Sequence, residues 1–262
     1  MSGARMGTRT SYEPGTFCWV DLSTPEPAAA KAFYGELFGW TASDAPIVTL
    51  DGHPVAAIVE QPASESERGV PPHWNSYITV DDVDAVAARV PELGGELVAP
   101  PFDVMEAGRM AVIRDPSGAY VFLWEPRNHI GAGLVNAPGA FSWNELNTRD
   151  PQAASDFFGE LLGWRFEDSE SAAGTRYLTI VNGDRQNGGI LEMNDQFPQG
   201  IPANWVVYMA VDDVAAAADK AAGLGSQVVM PRTEIRDTDE AIAVLHDRRV
   251  GVFALYEGQL DD

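Results

Sequence analysis

From Phe17 the chain reads FCWVDL, an alternation of period two that predicts a strand with Phe17, Trp19 and Asp21 on one face and Cys18, Val20 and Leu22 on the other. The pattern then lengthens to a helical one. Ser23 or Thr24 suits the cap, Pro25 the first turn and Gly39 the left-handed stop, with Ala29, Ala30, Phe33 and Leu37 as the apolar stripe. Two short apolar runs, PIVTL and PVAAIVE, flank Asp51-Gly52 and predict a hairpin. WNSYITV predicts another strand, Asp81 or Asp82 a cap, and DAVAARVPEL a helix ending near Gly94-Gly95. RMAVIRD and YVFLWE form a last hairpin around Pro116-Ser117-Gly118.

The same order then starts again. Gly15 to Trp40 realigns without a gap on Gly139 to Trp164, with about half the positions identical. WNSYITVDDVDA from Trp74 is answered by WVVYMAVDDVAA from Trp205, and YLTIV, Asn182-Gly183 and GGILEM repeat the first hairpin. The expected fold class is therefore α+β: a tandem duplication with four strand-helix-hairpin (βαβββ-type) units forming two curved mixed sheets, helices on one face and a trough on the other. The expected divisions are a loose tail over 1–13, a first domain over 14–126, a linker over 127–138 and a second domain over 139–262. Two facing troughs inside one chain would replace the dimer of a single-copy relative, so a monomer is preferred over a homodimer.

Charge narrows the partners. The formal net charge is −22, with no basic cluster to attract a phosphate backbone, so nucleic acid is excluded as the expected partner. No apolar run approaches a membrane span, and the first residues carry arginines with no apolar stretch behind them. The single cysteine, Cys18, fits a reducing compartment, and the expected address is cytoplasmic.

AFYGELFGW, GGELVAPPFDV, AGRMAVIRDPSGAYVFLWE and the DDVDA helix start together make the chain resemble the vicinal oxygen chelate superfamily, over nearly its whole length. Glyoxalase I, extradiol dioxygenases and bleomycin-binding proteins belong to that superfamily. The tandem form is similar to actinobacterial glyoxalase-like proteins, some of them accessory proteins of aromatic polyketide antibiotic biosynthesis. The resemblance implies a divalent metal held in the trough by three ligands, one from each of three strands. Placed on this chain, those positions hold Trp19, Asn75 and Phe122 in the first copy and Trp143, Val206 and Ala254 in the second. That set does not make a metal triad, so neither a metal nor another cofactor is expected. His53, His73, His129 and His246 are scattered and read as loop or surface residues.

Tryptophan instead occupies the first-strand position in both copies, and period two places Asp21 and Glu145 beside it. The candidate ligand-binding residues are Phe17, Trp19, Asp21, Asn75, Tyr77, Phe122 and Trp124 in the first copy, with Phe141, Trp143, Glu145, Tyr208 and Tyr256 in the second. Arg109, matched by Ala241, either braces a loop or touches the ligand. An aromatic wall edged by a carboxylate suits a flat aromatic or polycyclic small molecule. The leading expectation is a binding protein for such a compound, serving sequestration, resistance or an accessory role beside a biosynthetic oxygenase. The alternative is a metal-independent isomerase, cyclase or lyase using Asp21 or Glu145 as acid or base. A third reading relocates the metal ligands, for example to Asp21, His73 and Glu125.

Overall fold

The computed structural model describes residues 7–171, 174–195, 197–236 and 238–259. The first copy contributes β1 (Phe17–Thr24), α1 (Pro27–Phe38), β2 (Ile47–Leu50), β3 (His53–Glu60), the single turn α2 (Ala63–Ser66), β4 (His73–Thr79), α3 (Val83–Arg89), β5 (Glu96–Val104), β6 (Gly108–Arg114) and β7 (Tyr120–Pro126). The second contributes β8 (Phe141–Thr148), α4 (Pro151–Leu162), β9 (Arg165–Glu170), β10 (Arg176–Asn182), β11 (Arg185–Glu192), β12 (Asn204–Ala210), α5 (Val214–Gly223), β13 (Gln227–Glu234), β14 (Ala241–Asp247) and β15 (Gly251–Glu257). Their sheets run β2-β3-β1-β4-β7-β6-β5 and β13-β14-β15-β12-β8-β11-β10-β9. The α+β duplication expected from the sequence is the architecture observed.

Three of the four units have three strands after their helix. The first has two, because the segment matching β9 makes only an isolated bridge, Thr41 to Thr49. Helix α1 begins two residues later than expected, at Pro27, and Thr24 accepts the Glu26 N–H instead of capping the helix proper. Its buried stripe is Ala30, Phe33, Tyr34 and Leu37. Asp82, Asp150 and Asp213 do cap their helices, each accepting the N–H three residues on. Asp51 and Gly52 both take positive φ in the β2–β3 turn. In the second copy the two-residue turn is Gly183-Asp184, one residue beyond the expected pair, with the positive φ at Gly183.

The copies meet back to back, so their troughs do not face each other. Phe17 lies 5.1 Å from Trp205 and 5.6 Å from Trp164, and Phe33 on α1 lies 6.1 Å from Phe253 on β15. Ser76 on β4 donates to Asn144 on β8 at 2.7 Å. One continuous core therefore spans both copies. Reciprocal bonds fix the pairing: Trp40 donates to the Gly139 carbonyl at 2.6 Å, and Trp164 to that of Gly15 at 2.8 Å. Arg89 reaches the last carbonyls of α4, and Lys220 that of Leu37 at the end of α1.

The segment expected to hang loose is held over its described part. Thr8 bridges Leu134, Arg9 donates to the Gly133 carbonyl, and the Tyr12 hydroxyl donates to Ala132 at 2.7 Å. Among the described residues no helix is long and apolar enough to cross a membrane.

Candidate functional site

A bulge in the first strand of each copy decides what enters the troughs. Phe17 is in register with Ile78 while Trp19 is in register with Tyr77, so one residue is inserted between them. The second copy repeats this, with Phe141 opposite Met209 and Trp143 opposite Tyr208. The bulge turns Phe17 and Phe141 toward the core between the copies, where both still border the cleft beside Trp143. Of the two roles expected for Arg109, the structure shows the bracing one. It shares a face with buried Ala111 and Ile113, and it pairs with Asp84 at 2.7 Å and Asp103 at 3.0 Å on the helix side of the sheet. It therefore braces α3 against β5 and does not reach the trough.

The first trough is filled. Asn75 donates to Asp21 Oδ1 at 2.8 Å, and the Tyr77 hydroxyl donates to Asp21 Oδ2. Burial raises the Asp21 carboxyl above its usual range, against the opposing effect of those two donors. Phe122 packs 4.6 Å from Tyr77. The linker then covers the aromatic end: the His129 ring stands edge-on to Trp19 at 4.5 Å, and Trp124 donates to the His129 carbonyl at 2.9 Å. Gly131, at φ +112°, lies against the Cys18 carbonyl, which accepts the Ala132 N–H. Burial lowers the His129 pKa, keeping the imidazole neutral. Local pattern assigns His129 nothing beyond a loop or surface position; its place over Trp19 depends on the linker folding back.

The second trough is open. Trp143, Glu145, Tyr208 and Tyr256 border a cleft of about 2220 Å³, and of the first-copy candidates Asn75 and Phe17 reach its edge, whereas Trp19, Asp21, Tyr77, Phe122 and Trp124 do not. The cleft exceeds an ordinary ligand pocket because it continues along the seam past Tyr12, Pro14 and Asn187. Its floor is a small apolar cluster of Val206, Tyr208 and Ala254, flanked by Trp143, Ile242, Val244 and Tyr256. The Tyr256 hydroxyl donates to Glu240 at 2.6 Å at the far end.

Glu145 is the chemical centre of this trough. Burial raises its carboxyl from 4.5 to about 7, while hydrogen bonds from Tyr208 and Tyr177 act the other way. Both tyrosines are pushed well above their ordinary value by burial and the nearby carboxylate, so they remain donors. Trp143 Nε1 donates to the Tyr177 hydroxyl at 2.9 Å, completing a chain from indole to phenol to carboxyl.

Tyr177 was missed by sequence reasoning. Its position depends on Gly189, which pairs with Glu145 in the parallel ladder; a Cβ there would lie 1.9 Å from the Tyr177 hydroxyl oxygen. The visible signal was Gly188-Gly189 inside a strand, a mark of close approach. The first copy has Ala57 opposite Asp21. Thr179 pairs with Gly189 as Ile47 pairs with Ala57, so the place of Tyr177 falls to Ala45.

The trough positions do not fit a divalent metal. Trp19, Tyr77 and Phe122 lie in one row across β1, β4 and β7, and Trp143, Tyr208 and Ala254 in the matching row of the second copy. Neither row offers three imidazole or carboxylate donors. The relocated set of Asp21, His73 and Glu125 is not assembled either, since Glu125 accepts the Val83 N–H on the helix side at 3.0 Å. Among the described residues only Asp82, Asp84 and Glu125 bring three such groups together. That group lies at the start of α3, where each carboxylate already has a partner.

The superfamily profile described as Glyoxalase/Bleomycin resistance protein/Dioxygenase matches residues 16–123 and 139–248. The chain is 44% identical over 259 residues to the "Putative glyoxylase CFP32" of Mycobacterium tuberculosis (strain CDC 1551 / Oshkosh), covering 95% of this chain and 97% of that protein. It is 33% identical over 237 residues to the "Anthracycline biosynthesis protein DnrV" of Streptomyces peucetius, covering 84% and 85%. Among solved structures, the Mn(II)-bound glyoxalase from Novosphingobium aromaticivorans aligns with a TM-score of 0.67 at 17% identity, over 95% of this chain and 84% of that one. The 2,3-dioxygenase LapB from Pseudomonas sp. KL28 aligns at 0.65 and 14%, over 96% and 95%. At those identities the structural likeness is one of fold.

Proposed function

The chain belongs to the Glyoxalase/Bleomycin resistance protein/Dioxygenase superfamily, and from that premise we propose that its second trough binds a flat aromatic or polycyclic small molecule. The observation that carries this reading is the open cleft over Trp143 and Glu145, set against a first trough closed by the linker. A ring system stacks on the indole, and the buried carboxyl orients a polar substituent. The similarity to an anthracycline biosynthesis protein supports the ligand class, since an anthracycline is a fused polycycle bearing oxygens. Sequestration, resistance and assistance to a biosynthetic oxygenase are the roles this binding would serve, in the cytoplasm and as a monomer whose pairing surface is internal. Quinizarin, a dihydroxyanthraquinone, should quench tryptophan fluorescence saturably at one equivalent per chain. Absence of saturable quenching across quinizarin, anthracene and acridine would remove the reading.

A second reading rests on the Glu145 carboxyl itself, which is raised to about 7 and so poised to exchange a proton near neutral pH. Under it the chain is a metal-independent isomerase, cyclase or lyase. Glu145→Gln would then abolish turnover of a bound polycyclic ketone without weakening its binding; equal turnover by both proteins would eliminate this reading.

A further inference from the structure

The trough holds one buried polar group that neither stacking nor Glu145 uses. Trp143, Glu145 and Asn147 alternate onto the trough face of β8, so an indole, a carboxyl and an amide stand in line, successive members about 7 Å apart along the strand. All three border the cleft. Asn147 Oδ1 is buried without a hydrogen bond, and among the described residues the amide nitrogen donates none. Asn204, opposite Asn147 in the ladder, does not satisfy it; its amide donates to the Pro202 carbonyl at 2.9 Å. Interiors seldom keep an unsatisfied amide without a use. The fold does not require one here either, since the ungapped repeat places Ser23 at the matching position of the first copy.

We propose that Asn147 and Glu145 together select an oxygenated ligand, a hydroxyquinone or hydroxyaryl ketone, with the Asn147 amide oxygen accepting from its hydroxyl and the Glu145 carboxyl hydrogen-bonding a second oxygen. This rests on the second trough being the ligand site. The spacing of the two side chains calls for oxygens on separate edges of one rigid fused system. An unsubstituted hydrocarbon leaves both side chains unanswered, and a quinone without a hydroxyl leaves the Asn147 amide oxygen without a donor.

The test is fluorescence titration of the full chain with quinizarin and with anthracene, using wild type, Asn147→Leu and Asn147→Ser. The leucine variant keeps the volume, and the serine variant installs the residue of the first copy. Quinizarin affinity should fall about tenfold in both variants, while anthracene affinity holds. Unchanged quinizarin affinity in both variants, or an equal loss for anthracene, would overturn the proposal. Wild type that binds anthracene as tightly as quinizarin would also overturn it while leaving the trough as the ligand site; binding of neither compound would remove both.

Discussion

In the first copy the floor tryptophan, Trp19, is 6% exposed and lies under the edge of His129; in the second, its counterpart Trp143 is half-buried and borders a cleft. The carboxylate two residues on is held differently as well. Asp21 is bonded by its own ladder neighbours Asn75 and Tyr77, whereas Glu145 is reached by Tyr208 and by Tyr177 from two strands away. Both strands carry the same bulge and both tryptophans share one register, so the backbone of this strand did not diverge. What diverged is a linker histidine over one trough, and a glycine that admits a tyrosine into the other. Duplication thus leaves one trough free to become structure while the other keeps its opening.

The largest expected effect separates the two tryptophans. Trp19→Ala should destabilise the protein by about 3–5 kcal/mol and leave quinizarin affinity unchanged. Trp143→Ala should cost less than half of that in stability and weaken binding roughly thirtyfold or more. Urea unfolding paired with fluorescence titration checks both; equal stability losses would dissolve the distinction between a filled trough and an open one.

The next effect concerns Glu145 and pH. Its folded pKa, about 7, lies above the ordinary 4.5, so the folded state keeps a proton that the unfolded chain releases. Between those values stability falls as pH rises, and above about 7 the full penalty, on the order of 3 kcal/mol, is present. Glu145→Gln should therefore be more stable than wild type by about that amount at pH 8, with the difference vanishing near pH 4. Parallel stability profiles for the two proteins would show that the carboxyl is not buried as described.

A smaller effect tests the glycine. Gly189→Ala would place a methyl 1.9 Å from the Tyr177 hydroxyl oxygen, so the ring must leave. Glu145 then loses a donor that favours its ionised form, its pKa should rise further, and quinizarin binding should weaken about tenfold. Ala57→Gly at the matching place of the first copy should cost only about 0.5–1 kcal/mol and leave binding alone. A carboxyl titration followed by infrared spectroscopy reads the Glu145 shift directly; no shift would detach Tyr177 from Glu145.

Much of this was legible in the chain because it is local. The duplication, a helix cap at Asp81 or Asp82, and the alternation that puts Trp143 and Glu145 on one face all follow from short-range periodicity. Strands β5, β9 and β13 were not recognised, and each lies at or near a sheet edge, where exposure replaces apolar alternation by residues such as those of RFEDSE, and where Pro100 and Pro231 are tolerated. The bulge that turns Phe17 and Phe141 toward the core shifts parity without a sequence mark. The parity of Arg109 with Ala111 and Ile113 pointed to the helix side, which decides between its two expected roles in favour of bracing. His129 and Tyr177 depend on contacts distant in sequence, and the back-to-back pairing of the copies turns on Phe17, Trp164 and Trp205 meeting across the chain.

The most direct test of the account is a crystal structure of the full chain soaked with quinizarin. The account requires one molecule per chain, stacked on Trp143 with an oxygen at Glu145, and His129 still seated against Trp19. Ligand found instead over Trp19 with His129 displaced, or in both troughs alike, would contradict it.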